Sequence, residues 1–159
     1  MIGTCSTAAK AEIARAAGAD EIIRYTEEDV VERVHDLLGG SGVDVVYDSV
    51  GRSTFEGSLG ALRPRGLLVL FGQSSGAVPP FDLNRLNTLG SLFVTRPSLA
   101  HYTRDAAELD LRAGAVLAAI AEGRLAIRIG GVFPLARAAE AHRALESRAT
   151  TGKLLLAVR

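Results

Sequence analysis

The sequence predicts an α/β fold built around a parallel β-sheet, and three observations support that prediction. Short runs of aliphatic and β-branched residues alternate with segments that carry apolar residues at helical spacing. Glycines follow several of the helical segments, as expected where helices end. The 159 residues are 48% hydrophobic and 23% charged, a composition typical of a globular domain with a sizeable core. The predicted strands are Glu21–Arg24, Val43–Tyr47, Leu67–Phe71 and Leu92–Thr95.

The helix after the strand Glu21–Arg24 has the clearest pattern. Its apolar residues share one face: Val30, Val34, Leu37 and Leu38. Thr26, with Asp29 three residues later, resembles a capping box, and Gly39 and Gly40 supply a stop. We therefore expect this helix to bury one face against the sheet.

Two further helices show the same kind of apolar face. The first is marked by Phe55, Leu59 and Leu62. The second is longer, ends at Gly123, and is marked by Leu109, Ala113, Val116, Leu117 and Ile120. We expect each of them to bury its apolar side.

The two ends of the chain extend the same alternation. Met1–Thr4 resemble the end of a strand, and Ser6 and Thr7 then open a helix that closes at Gly18. The last elements are a strand around Ala126–Phe133, a helix from about Ala136 to Arg148, and a final strand at Lys153–Val158. The chain is therefore expected to begin partway through its fold.

Charge and cysteine content exclude several classes of partner. Eighteen basic residues balance eighteen acidic ones without long runs of like charge, so neither a nucleic-acid-binding face nor a polybasic membrane patch is indicated. Cys5 is the single cysteine, and no cluster of Cys and His has metal-ligand spacing, so we expect no disulfide within the chain and no metal site. No apolar stretch approaches the roughly 18–20 residues needed to span a bilayer. These features favour a cytoplasmic protein whose partner is a small molecule.

The first candidate site follows the opening strand. Dinucleotide folds often carry an Asp or Glu at the end of their second strand, where it binds the ribose 2′-hydroxyl of NAD. Here Thr4–Thr7 contains no acid, and Lys10 follows one turn into the next helix. Hydroxyls, helix N–H groups and one ammonium suit the 2′-phosphate of NADPH, with Tyr25 at the end of the next strand beside the adenosine. The alternative is an N-cap Ser6, a solvated lysine and an amphipathic strand-end tyrosine.

A second candidate site follows the next two strands. Asp48–Gly51 and Gly72–Gly76 come directly after them, and ligands of open parallel sheets bind beyond the carboxyl ends of the strands. Glycines at these positions would let a flat ring approach the backbone. Taken alone, either segment is more often just a turn.

Four segments in the same order along the chain resemble one family. They are Val45–Gly51, Phe71–Gly76, Thr95–Ser98 and Glu146–Lys153. The chain resembles the NADPH:quinone oxidoreductases related to zeta-crystallin, which belong to the medium-chain dehydrogenase/reductase superfamily. The similarity extends over nearly the whole chain and is more specific than any one segment.

The resemblance implies a set of cofactor-binding residues. In that family, residues matching Ser6, Lys10 and Tyr25 lie at the adenosine 2′-phosphate. Those matching Phe71, Gly72 and Gln73 approach the nicotinamide, and we add Ser49, which follows the neighbouring strand. Many relatives carry Asn where this chain has Gln73.

The resemblance also implies a domain organisation. Residues 1–125 correspond to part of a Rossmann-like, doubly wound parallel sheet, and 126–159 to a segment that packs back on the family's catalytic domain. The family's first strand, its glycine-rich loop and its catalytic domain have no counterpart here, so we expect a chain that is truncated at its N-terminus. The edge strand Leu92–Thr95 would pair subunits in a homodimer.

By resemblance, the function is zinc-independent hydride transfer from NADPH to a quinone. Direct transfer needs no protein nucleophile, so we assign no catalytic residue. One alternative is an alkenal or enoyl reductase of the same superfamily, since acceptor choice lies largely in the catalytic domain. The other is a truncated, non-catalytic oligomerising module.

Overall fold

The computed structural model describes residues 1–147 and 149–158, which form two compact units. The first unit is Met1–Tyr102 and the second begins at Thr103. The domain boundary expected after residue 125 rests on packing against a further domain, and it stays a prediction. The predicted helix end at Arg148 lies outside the described residues.

The first unit contains two parallel sheets. Strands β1 (Ile2–Cys5) and β2 (Glu21–Arg24) form one pair. Strands β3 (Val43–Asp48), β4 (Leu62–Leu70) and β5 (Phe93–Thr95) form the other, in the order β3-β4-β5. All of these pairings are parallel, which confirms the α/β prediction.

Strand β4 begins five residues before the predicted start at Leu67. Leu62, which was expected on the third helix, is its first residue and pairs with Val43. Leu62 is buried in the same core cluster as Phe55 and Leu59, so the apolar spacing that suggested a longer helix reflects shared burial instead. That helix ends at Gly60.

A helix follows each strand of the first unit. They are α1 (Ala8–Ala16), α2 (Val30–Leu37), α3 (Phe55–Gly60), α4 (Asn84–Thr88) and α5 (Leu99–Tyr102). The last two are short and were not predicted. Asp29 caps α2 by accepting hydrogen bonds from the backbone N–H groups of Val31 and Glu32. The predicted capping role of Thr26 is therefore wrong, because its hydroxyl donates to the carbonyl oxygen of Ser6 instead.

Helix packing joins the two sheets of the first unit. Ile23 from β2, Val34 from α2 and Ala61 after α3 form one buried cluster. The ring of His35 strengthens this contact, since its nitrogens lie 3.1 Å and 3.0 Å from the carbonyl oxygens of Gly40 and Gly60. In the described residues, β1 pairs with β2 and β3 with β4, so helices rather than strand pairing hold the sheets together.

The three-stranded sheet is covered on one face. Leu68 and Leu70 of β4 are buried beside Phe55 and Leu59 of α3. Strand residues alternate between faces, and the opposite face carries Tyr47, which is 73% exposed, and Phe93, which is 61% exposed. This opposite face is largely open.

The second unit combines two helices with one parallel strand pair. Its elements are α6 (Ala106–Ala121), β6 (Ile129–Pro134), a 3-10 turn at Leu135–Arg137, α7 (Ala138–Glu146) and β7 (Lys153–Ala157). Strands β6 and β7 pair in parallel. The expected burial of one face of α6 is wrong for this chain, since Val116 and Leu117 are 51% and 64% exposed. Over residues 1–147 and 149–158, no helix has the length and apolarity to cross a membrane.

Candidate functional site

The carboxyl ends of β1 and β2 bring the first group of predicted site residues together. The two strands run side by side to Cys5 and Arg24. The Tyr25 backbone N–H donates to the Cys5 carbonyl oxygen at 3.1 Å, and the Thr26 hydroxyl donates to the Ser6 carbonyl oxygen at 3.0 Å. Ser6 and Tyr25 therefore lie at the same edge of this sheet.

Helix α1 begins at that edge. Thr7 is its N-cap and accepts a hydrogen bond from the Lys10 backbone N–H at 3.3 Å, which fixes Lys10 in the first turn. The first turn contains no acidic residue. A helix N-terminus offers backbone N–H groups and a partial positive charge, and both attract a phosphate. An ionised acidic side chain in the first turn would repel a phosphate.

A second group forms where β3 and β4 end. The backbone N–H groups of Phe71 and Gly72 donate to the Asp48 carbonyl oxygen at 2.9 Å and 3.3 Å. The Ser74 N–H donates to the Ser49 carbonyl oxygen at 3.3 Å, and further hydrogen bonds join residues 50–53 to 75–77. The loops after the two strands are thus connected over several residues.

Glycine is required where these loops meet. A Cβ atom on Gly72 would lie 2.3 Å from the Ser49 carbonyl oxygen, closer than any real contact permits. Gly51 has φ of +88°, and a Cβ there would lie 2.8 Å from the Gly76 carbonyl oxygen. The backbones of the two loops therefore pack directly against each other, without an intervening side chain.

The other predicted residues of the second group surround Gly72. Ser49 and Gln73 are exposed, and the Phe71 side chain is 51% exposed. The structure therefore brings Ser49, Phe71, Gly72 and Gln73 together. Ser6, Lys10 and Tyr25 form a separate group at the end of the other sheet.

Asp48 begins the predicted segment Asp48–Gly51, but the sequence analysis gave it no role of its own. It is 4% exposed, and its carboxylate accepts hydrogen bonds from the N–H groups of Val50 and Gly51 at 2.7 Å and 3.0 Å. The hydroxyls of Thr54 and Ser58 also donate to it, both at 2.8 Å to Oδ2. The sequence feature that could have indicated this role is an Asp at the end of a strand, followed by Gly and hydroxyl residues. The same pattern is also typical of an ordinary turn.

These hydrogen bonds determine the charge of Asp48. Burial raises the pKa of the carboxyl group, but the hydrogen bonds from Gly51, Thr54, Val50 and Ser58 outweigh burial and hold that pKa below its usual value. The ionised carboxylate can accept hydrogen bonds from all four donors. Asp48 is therefore negatively charged at neutral pH.

Within the part of the chain that the structure describes, no group of three or more His, Cys, Asp or Glu side chains could hold a metal ion. The Cys5 thiol donates to the Thr7 carbonyl oxygen at 3.4 Å, within the loop that leads into α1.

Comparison with known proteins identifies the family. The family model described as zinc-binding dehydrogenase matches residues 17–156. Quinone oxidoreductase 1 of Escherichia coli (strain K12) is 49% identical over 98% of this chain, and 2-haloacrylate reductase of a Burkholderia species is 42% identical over 98%. The alignments cover 48% and 47% of those two relatives, so the chain spans about half their length.

A solved structure extends the likeness to three dimensions. The crystal structure of Escherichia coli quinone oxidoreductase complexed with NADPH matches with a TM-score of 0.91 and 48% identity. The match covers 98% of this chain and 49% of that one, and it falls on the Rossmann-like half of the relative. The chain therefore belongs to the zinc-binding dehydrogenase family, as a counterpart of the cofactor-binding half of its quinone oxidoreductases.

Proposed function

We propose that this chain binds NADPH and forms the cofactor-binding part of a quinone oxidoreductase. The observation that carries the proposal is the group at the carboxyl ends of β1 and β2, where Ser6, Lys10 and Tyr25 lie beside the N-terminus of α1, whose first turn contains no acidic residue. A carboxylate there would repel a 2′-phosphate, whereas hydroxyls, N–H groups and an ammonium attract one.

Each group of residues has its own task in this proposal. Ser6, Lys10 and Tyr25 hold the adenosine 2′-phosphate end, and Ser49, Phe71, Gly72 and Gln73 hold the nicotinamide end. The bound nucleotide supplies a hydride for an electron-poor acceptor. The close contact of Gly72 with Ser49 supports the second task, because it holds the loops that carry Ser49 and Gln73 side by side.

The acceptor is proposed to be a quinone. Quinone oxidoreductases of Escherichia coli, Salmonella typhimurium and Pseudomonas aeruginosa are 46–49% identical to this chain, and identity at that level supports a shared substrate class. We propose that the reaction is zinc-independent and takes place in the cytoplasm. Metal analysis of the purified protein would test the first of these two points.

We also propose a homodimer. Strand β5 is at an edge of the three-stranded sheet, where its unpaired side can accept a strand from a second copy. Sedimentation should give twice the monomer mass of 16.7 kDa.

A second acceptor class deserves a direct comparison. The 2-haloacrylate reductase of Burkholderia acts, by its name, on a conjugated alkene, and it is 42% identical to this chain. The longest form of the protein that its gene encodes should be assayed for NADPH oxidation with a simple quinone and with 2-haloacrylate. Faster turnover of the quinone supports the proposal, and faster turnover of the haloacrylate favours the alternative. Nucleotide binding without turnover of either compound would indicate a non-catalytic module.

A further inference from the structure

We propose that Asp48 is a positioning residue, which holds the loops of Ser49 and Gly72 in the arrangement that receives the nicotinamide end of the cofactor. The inference rests on the proposed function, since it assigns a task to a residue that would not itself touch the nucleotide. Asp48 is buried, whereas Ser49 and Gln73 are exposed.

Asp48 is bonded to both loops at once. Its carboxylate accepts the N–H groups of Val50 and Gly51, which fixes the turn after β3. Its carbonyl oxygen accepts the N–H groups of Phe71 and Gly72, which fixes the end of β4. A change in the orientation of this one residue would therefore move both surfaces that form the candidate nicotinamide site.

The start of α3 is also bonded to the same carboxylate. Thr54 is the N-cap of α3, but its hydroxyl makes no cap hydrogen bond to the helix. It donates instead to the Asp48 carboxylate, whose two oxygens lie 2.9 Å and 2.8 Å from the Thr54 hydroxyl, and Ser58 in the next turn donates to one of these oxygens. Asp48 is thereby fixed from three directions: its own turn, β4 and α3.

Two substitutions separate this role from a general loss of folding. Asp48→Ala removes the carboxylate acceptor and keeps the backbone carbonyl oxygen. Asp48→Asn keeps an oxygen for the Val50 and Gly51 N–H groups, and its amide can donate to the hydroxyls of Thr54 and Ser58 after these rotate. Asp44→Ala is the matched control, because Asp44 lies at the other end of β3 and forms a surface ion pair with Arg63.

The test compares two ligands that share the adenosine end. NADPH would contact both groups of residues, whereas adenosine 2′,5′-bisphosphate would contact only the group at Ser6, Lys10 and Tyr25. For the full chain with Asp48→Ala, we expect NADPH to bind about tenfold more weakly, while the bisphosphate binds within about twofold of the unaltered chain. Asp48→Asn should recover most of the NADPH affinity, and Asp44→Ala should lose none.

Hydrogen exchange of the nucleotide-free chain gives a second readout. In Asp48→Ala, the amides of Gly72 and Ser74 should exchange faster, while the amide of Tyr25, which bonds to Cys5, should not change. Equal weakening of both ligands, or unchanged exchange at Gly72, would overturn the positioning role alone. If the unaltered chain bound neither nucleotide, the proposed function would fail first and the positioning role with it.

Discussion

Gly72 lies so close to Ser49 that a Cβ atom on Gly72 would stand 2.3 Å from the Ser49 carbonyl oxygen. The contact joins the loops that follow two neighbouring parallel strands. It involves backbone on both sides, so no rotamer change could relieve an added methyl group.

Gly72→Ala should therefore separate the loops after β3 and β4. We expect a loss of about 1–3 kcal/mol in the free energy of unfolding, together with weaker NADPH binding. Urea unfolding and nucleotide titration would measure the two effects.

Gly114→Ala is the matched control for that substitution. Gly114 is inside α6, and a Cβ atom there would meet nothing within 4 Å. Replacing a helical glycine by alanine should raise the free energy of unfolding by about 0.5–1 kcal/mol. Equal effects at the two positions would contradict the close contact of Gly72 with Ser49.

Acidification should remove the contribution of Asp48 to stability. Its folded pKa is held below the unfolded value of about 3.9, so the contribution is complete above about pH 4 and is lost as the pH falls through the folded pKa. At pH 7 the unaltered chain should be more stable than Asp48→Asn by about 1–2 kcal/mol. The difference should shrink when urea unfolding is repeated at about pH 3. A difference that stays constant with pH would show that the charge of Asp48 does not matter.

Lys10 should determine the preference for the phosphorylated cofactor. Lys10→Ala should weaken NADPH binding about tenfold and leave NADH binding unchanged, because only NADPH carries the 2′-phosphate. Lys153→Ala, at the only other lysine of the chain, is the control. Fluorescence titration with both nucleotides would measure the effect, and an equal loss for NADH would mean that Lys10 does not contact the phosphate.

His35 should stabilise the contact between α2 and α3. Its ring nitrogens face the carbonyl oxygens of Gly40 and Gly60, so His35→Ala should lower the free energy of unfolding by about 1–2 kcal/mol. His101 is exposed, and His101→Ala should change stability by less than about 0.5 kcal/mol. Similar losses for the two variants would show that the His35 contacts contribute little.

The alternation of strands and helices could be predicted because aliphatic runs and apolar faces are local features of the sequence. The start of β4 could not be predicted. Leu62 is buried beside α3, and its spacing from Phe55 and Leu59 matches the period of that helix. The capping of α2 was misassigned to Thr26, whose bond to Ser6 spans 20 residues and leaves no local pattern. The exposure of the apolar face of α6 could not be predicted either. A helical period predicts which side of a helix is apolar, but it does not predict whether another element covers that side.

The candidate site could be predicted only in part. Ser6, Ser49 and Gly72 were predicted because parallel strands present their carboxyl ends to ligands and because the family resemblance points to the same positions. Asp48 was included in a candidate segment, but its role was not predicted, since that role depends on the register of β3 with β4, which brings Phe71 and Gly72 to its carbonyl oxygen. A register of this kind is a tertiary property, and the turn residues around Asp48 are equally compatible with an ordinary loop.

The proposed function depends above all on binding of NADPH through its 2′-phosphate. The most direct measurement is a parallel titration of the purified chain with NADPH and NADH, following nucleotide fluorescence. We expect NADPH to bind at least about tenfold more tightly than NADH. Equal affinities, or no binding of NADPH by a chain that circular dichroism shows to be folded, would contradict it.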